Sequence, residues 1–70
     1  MGGGVVIEFD AHVGLGVVRG DDAITYPFHC TQLADGSRTI GIGTTVDFEI
    51  KAGPLGRWEA AEIKVRSHDR

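Results

Sequence analysis

Thr45-Val46-Asp47-Phe48-Glu49-Ile50 alternates apolar and acidic residues without a break after its first threonine. A period of two puts Val46, Phe48 and Ile50 on one face and Asp47 and Glu49 on the other, the signature of a strand with one buried side. It is the clearest such segment in the chain, and the rest is read outward from it. Downstream, Ala52-Gly53-Pro54-Leu55-Gly56 is a turn. Trp58 to Val65 follows, and Glu59, Ala60, Ala61 and Glu62 would tolerate a helix. The segment is short and lacks an N-cap, so it reads as a final strand, with Ile63 and Val65 inside and Trp58 facing the other way.

Upstream, Ala34-Asp35-Gly36-Ser37 is a loop, and Phe28 to Leu33 fits neither strand nor loop cleanly. Ala23-Ile24-Thr25-Tyr26 reads as a strand ended by Pro27, which cannot donate a ladder hydrogen bond. Tyr26 and Phe28 share a parity, and one of them is expected in the core. Gly20-Asp21-Asp22 is a turn. Gly14-Leu15-Gly16-Val17-Val18-Arg19 and Val5-Val6-Ile7-Glu8-Phe9 are two further strands, rich in β-branched residues and bounded by glycine or aspartate. Five short strands with turns between them predict an all-β fold, a small five-stranded antiparallel β-barrel that closes its own edges. Eleven glycines scattered through 70 residues agree with many turns.

One small core accounts for this length, so residues 1–66 are expected to form a single domain and 67–70 a frayed tail. Ten acidic against seven basic residues give a net charge of −3, which argues against binding nucleic acid by phosphate neutralisation alone. Stacking on bases needs π-faces rather than charge and is not excluded. Cys30 is the only cysteine, so no intrachain disulfide forms and a thiolate zinc site is unsupported. Met1 is followed by glycines instead of a basic and then apolar leader, and no apolar run approaches a membrane span. A cytoplasmic setting without membrane contact is the expectation.

The glycine and turn order resembles the cold-shock domain family over roughly residues 4–65. Gly4-Val5-Val6-Ile7-Glu8-Phe9-Asp10 stands where that family opens with glycine, an alternating strand, a Trp-Phe pair and Asn. Gly14-Leu15-Gly16-Val17-Val18 stands on its first nucleic-acid motif, and Tyr26-Pro27-Phe28-His29-Cys30 on its second. Arg38-Thr39-Ile40, Gly43 and Val46-Asp47-Phe48-Glu49 are similar to its Thr-Leu…Gly…Val-x-Phe-x stretch. Glu59-Ala60-Ala61-Glu62-Ile63 resembles its closing strand. The resemblance implies an oligonucleotide-binding (OB) barrel and a non-enzymatic module for single-stranded RNA or DNA, with no cofactor.

The scaffold positions of that pattern are kept, and most of its stacking positions are not. Glu8 replaces the tryptophan, Leu15 and Val17 the aromatics of the first motif, Pro27 and Cys30 those of the second, and Ser37 the loop aromatic. Each lost platform removes on the order of 1–3 kcal/mol, so binding is expected to be weak. The expected site is Phe9, His29 and Trp58 for stacking, with Arg38 and Arg57 near phosphates. For His29 both a base contact and simple retention at the surface stay open. Trp58 either folds over the barrel rim or serves as a relocated contact aromatic.

Other chemistry finds less footing. Gly14, Gly16 and Gly20 do not match a dinucleotide fingerprint, because the third is misplaced and no helix follows. His29 and Cys30 are neighbours on a strand and point to opposite faces, so they do not share a metal, and no third group would orient them for nucleophilic catalysis. The rival function is a protein-interaction or self-association module. Leu15, Val17, Pro27 and Cys30 make an apolar face that suits another protein or a second copy, and Glu8 within it would repel phosphate.

Overall fold

The computed structural model describes residues 2–53 and 56–66. The expected frayed tail at 67–70, and Pro54 and Leu55 of the last turn, lie outside them. Five strands follow one another: β1 (Gly2–Asp10), β2 (Leu15–Gly20), β3 (Thr25–His29), β4 (Thr45–Ala52) and β5 (Trp58–Val65). All pair antiparallel in one sheet of order β3-β2-β1-β4-β5. Among the described residues the only helical segment is a 3₁₀ turn, Cys30–Gln32.

The sheet curls until its two ends, β3 and β5, approach each other. No ladder joins them, so the fold is barrel-like but its edges are not closed by strand pairing as expected. A stitch holds one end of this seam: Leu33 bridges Ile63, and the Ala34 N–H donates to the Ile63 carbonyl at 2.8 Å. Inside lie Val6, Val18, Tyr26, Phe28, Leu33, Val46, Phe48, Ala60 and Ile63. Val46 and Phe48 are buried, as the alternation of β4 requires.

Two bulges bend the sheet. In β1, Val6 faces Val18 but Glu8 faces Val17, so Ile7 is an extra residue. In β5, Lys64 faces Asp47 but Ala61 faces Glu49, so three residues of β5 span two of β4. Glu62 sits in that second bulge with φ 49, a left-handed backbone. Inserting one residue flips the side-chain parity.

That flip corrects the expected orientation of the last strand. Trp58 shares the parity of buried Ala60 instead of opposing the inner face, yet it lies beyond the packed interior and is exposed. Val65 is exposed rather than inside, and so is Ile50, which pairs with Ala60 where the β4–β5 hairpin runs past the core. The third strand also starts later than expected. Ala23 and Ile24 belong to the turn, where Ala23 has φ 67, and the strand runs through Pro27 to His29. Pro27 is tolerated there because β3 ends the ladder order, so no further strand needs its missing N–H. Tyr26 and Phe28, on either side of it, are both buried.

Candidate nucleic-acid interface

The registers of β1, β2 and β3 define an inner and an outer face, row by row. The inner rows are Val6–Val18–Tyr26 and Phe9–Gly16–Phe28. Phe9 therefore turns inward: its ring stacks on Phe28 with centroids 6.0 Å apart and planes 16° from parallel. Gly16 makes this stack possible, since a Cβ there would lie 2.5 Å from Phe28 Cζ and 2.8 Å from Phe9 Cδ1. Phe9 is thus partly committed to packing, and the rest of it opens on a cleft of about 440 Å³ with Val13, Leu15 and Ile42.

The outer rows are Val5–Arg19–Thr25, Glu8–Val17–Pro27 and Asp10–Leu15–His29. This is the face on which the sequence pattern expects bases to stack, and it carries no aromatic carbocycle. His29, its one flat side chain, caps the 3₁₀ turn that follows it. Its Nδ1 accepts the Thr31 backbone N–H at 3.2 Å and lies 3.1 Å from Thr31 Oγ1. That bond leaves Nε2 to carry the proton of the neutral ring, so the ring keeps one donor, on the side of Gly14. Cys30 is half-buried against the core, and its Sγ lies 3.8 Å from His29 Nδ1. Glu8 and Asp10 stand at the β1 margin of the same face, both exposed.

Trp58 and Arg57 come together elsewhere, at the open end of the seam. With Ile24, Tyr26, Pro27 and Ile50 they line a groove of about 760 Å³ between β3 and the β4–β5 hairpin. Trp58 is 63% exposed there. Pro27 belongs to both surfaces, so the groove continues the outer face of β1–β3 past its last strand. Arg19 flanks the same end, as the ladder neighbour of groove residue Thr25. Asp22 stands at the rim, where the Ile24 N–H and the Tyr26 hydroxyl both donate to it and hold its carboxyl below the usual carboxylate range.

Arg38 is exposed in the 34–44 loop and does not share this groove. That loop borders a separate cleft, of about 350 Å³, against Ile63 and Val65 at the far end of β5 from Arg57. Five expected residues thus divide four ways: Trp58 with Arg57 in the groove, Phe9 on the inner face of β1–β3, His29 on its outer face, and Arg38 apart. Of the other described cations, Lys51 pairs with Glu62 at 3.4 Å and Arg66 with Asp47. Arg66 holds the Asp47 carboxyl below its ordinary pKa. Sequence reasoning missed Ile24, Ile50 and Arg19. The local pattern reads Ile24 as a strand residue and puts Ile50 inside, and it places Arg19 at the end of a strand with nothing to single it out.

Among the described residues no cluster of His, Cys, Asp and Glu could hold a metal ion, and no helix is long and apolar enough to cross a membrane. Comparison with protein families finds no match for this chain, and a search of curated proteins finds none either.

Proposed function

We propose that this chain is a non-enzymatic binding module of the cold-shock type that takes single-stranded RNA or DNA weakly, at the seam between β3 and β5. The observation that carries this reading is Trp58, 63% exposed in an open groove beside Arg57. An exposed indole gives one base a stacking surface worth about 1–3 kcal/mol, and an adjacent guanidinium gives one phosphate a counter-charge. With Arg57 and Arg19 at this end, the logarithm of the binding constant should fall with the logarithm of salt at a slope near −0.7 per phosphate contact, about −1.4 for the two. Glu8, Asp10 and the net charge of −3 act against phosphate elsewhere on the surface. This module would work in the cytoplasm without a cofactor.

The test is a titration of the Trp58 emission with oligo-dT and oligo-rU at low ionic strength. Saturable quenching is expected, with affinity weakened several-fold by Arg57→Gln, and anisotropy of a labelled oligonucleotide should show binding lost on Trp58→Ala. An emission unchanged at high micromolar oligonucleotide sinks the reading.

A second reading is favoured by the other end of the face. Exposed Val13, Leu15 and Ile42 gather there around a cleft flanked by Glu8 and Asp10. Apolar side chains among carboxylates suit a protein partner better than a phosphodiester backbone.

A further inference from the structure

We propose that two copies of this chain pair through the outer face of β1–β3, about a two-fold axis lying in that face. The pairing rests on the protein-contact reading and names its partner as a second copy.

The argument starts from charge placement. The row Glu8–Val17–Pro27 crosses three strands, and Pro27 hands it on to the groove of Trp58 and Arg57. Two strand spacings separate Glu8 from Pro27, about 10 Å. Anionic Glu8 and Asp10 therefore sit at one end of the face, and Arg57 and Arg19 at the other, where they outnumber the Asp22 carboxylate that the Ile24 N–H and the Tyr26 hydroxyl already hold. Val17, Leu15 and Pro27 occupy the middle. Among the described residues none of these four charged side chains makes an ion pair within its own chain.

A surface that is apolar in the middle and oppositely charged at its ends is complementary to itself when reversed. A two-fold axis across the line joining those ends brings Arg57 and Arg19 of each copy over Glu8 and Asp10 of the other. The same contact is made twice, and the interface closes at two subunits. Two exposed apolar clusters, Val13 with Leu15 and Ile24 with Trp58, leave water in the same step. Rim charges of this kind set orientation and encounter more than affinity, so the pair should be weak and should loosen with salt.

Sedimentation velocity on the full chain at low salt tests this, with circular dichroism confirming that each variant folds. A monomer–dimer equilibrium is expected below about 1 mM protein. Glu8→Arg and Arg57→Glu should each weaken it about tenfold or more by placing like charges opposite one another. An equal mixture of the two single variants should dimerise again, because each copy then supplies what the other lacks. The chain is not self-pairing in this way if it stays monomeric at about 1 mM, or if its dimer ignores both charge reversals. The broader protein-contact reading fails on a different result, tight single-strand binding by the native chain that is lost on His29→Ala.

Discussion

Asp22 ties the β2–β3 turn together with one carboxylate. Its Oδ1 accepts the Ile24 N–H at 3.0 Å and its Oδ2 the Tyr26 hydroxyl at 2.8 Å. Both bonds favour the ionised form, the backbone one most, and they lower the Asp22 pKa from 3.8 in the folded chain. A depressed carboxylate contributes stability that is complete above its unfolded pKa and is lost as pH falls through the folded one. The native chain should therefore melt higher than Asp22→Asn at neutral pH, and the gap should close as pH drops below 3.8. Melting curves from pH 7 to pH 2 check this, and a gap that does not change with pH would refute it. The same bond raises the Tyr26 pKa above 10.0. Its stabilisation is complete below that value and fades as alkali ionises the phenol. Gly20-Asp21-Asp22 announces a turn in the sequence. What it does not announce is that a core tyrosine four residues on reaches back to lock it, because that contact needs Ala23 and Ile24 to belong to the turn rather than to the strand.

At the scale of elements, β4 was legible from its alternation and β5 only in its extent. Both strands lie where the sequence puts them, yet Ile50, Trp58 and Val65 point where it does not. Alternation presumes an unbroken ladder, and the bulge at Glu62 is a long-range event. It forms where η1, the Cys30–Gln32 turn, meets β5 and the Glu62 N–H finds Gln32 Oε1 at 3.4 Å. Nothing local to Glu59-Ala60-Ala61-Glu62 marks it. The left-handed backbone there costs an ordinary L-residue about 1–2 kcal/mol and a β-branched one more. Glu62 already bears that cost, so Glu62→Val should destabilise the fold by the extra penalty of a β-branched side chain there, on the order of 1 kcal/mol. Glu62→Gly should match or exceed the native stability, since it relieves the backbone and gives up only an exposed ion pair with Lys51 worth about 0–1 kcal/mol. Urea melts of the two variants decide the matter, and equal losses would mean that the bulge carries no backbone strain. The candidate site follows the same pattern. Arg57 and Trp58 could be picked out by residue type, but their meeting with Ile24 and Ile50 depends on a seam that only the curled sheet creates.

For the molecule as a whole, that seam divides stability unevenly. It is stitched at Leu33, Ala34 and Ile63 and left open at Trp58. The Ala34 amide lies outside every strand but is held by the Ile63 carbonyl at 2.8 Å. Opening that bond requires the end of β5 to leave the core, so native-state hydrogen exchange should protect Ala34 nearly as well as the interior strands. Amides of Trp58 and Glu59 should exchange much faster. Ala34 exchanging at the rate of a free loop would show that the stitch does not hold. A barrel was legible from strand count and turn spacing. Its incomplete closure was not, because β3 and β5 are far apart in sequence and no residue pattern records whether two edges meet.

The place of β1 in the sheet order has a kinetic consequence. Residues 2–29 can form the β1-β2-β3 meander from neighbouring hairpins, at little cost in loop entropy. The other edge of β1, however, belongs to β4, with Gly4 opposite Val46 and Gly2 opposite Phe48. Closing that ladder demands a loop of some forty residues, so it is the slow, non-local event of folding. During synthesis, β1 leaves the ribosome with one edge unsatisfied and waits for Thr45–Ala52 to clear the exit tunnel.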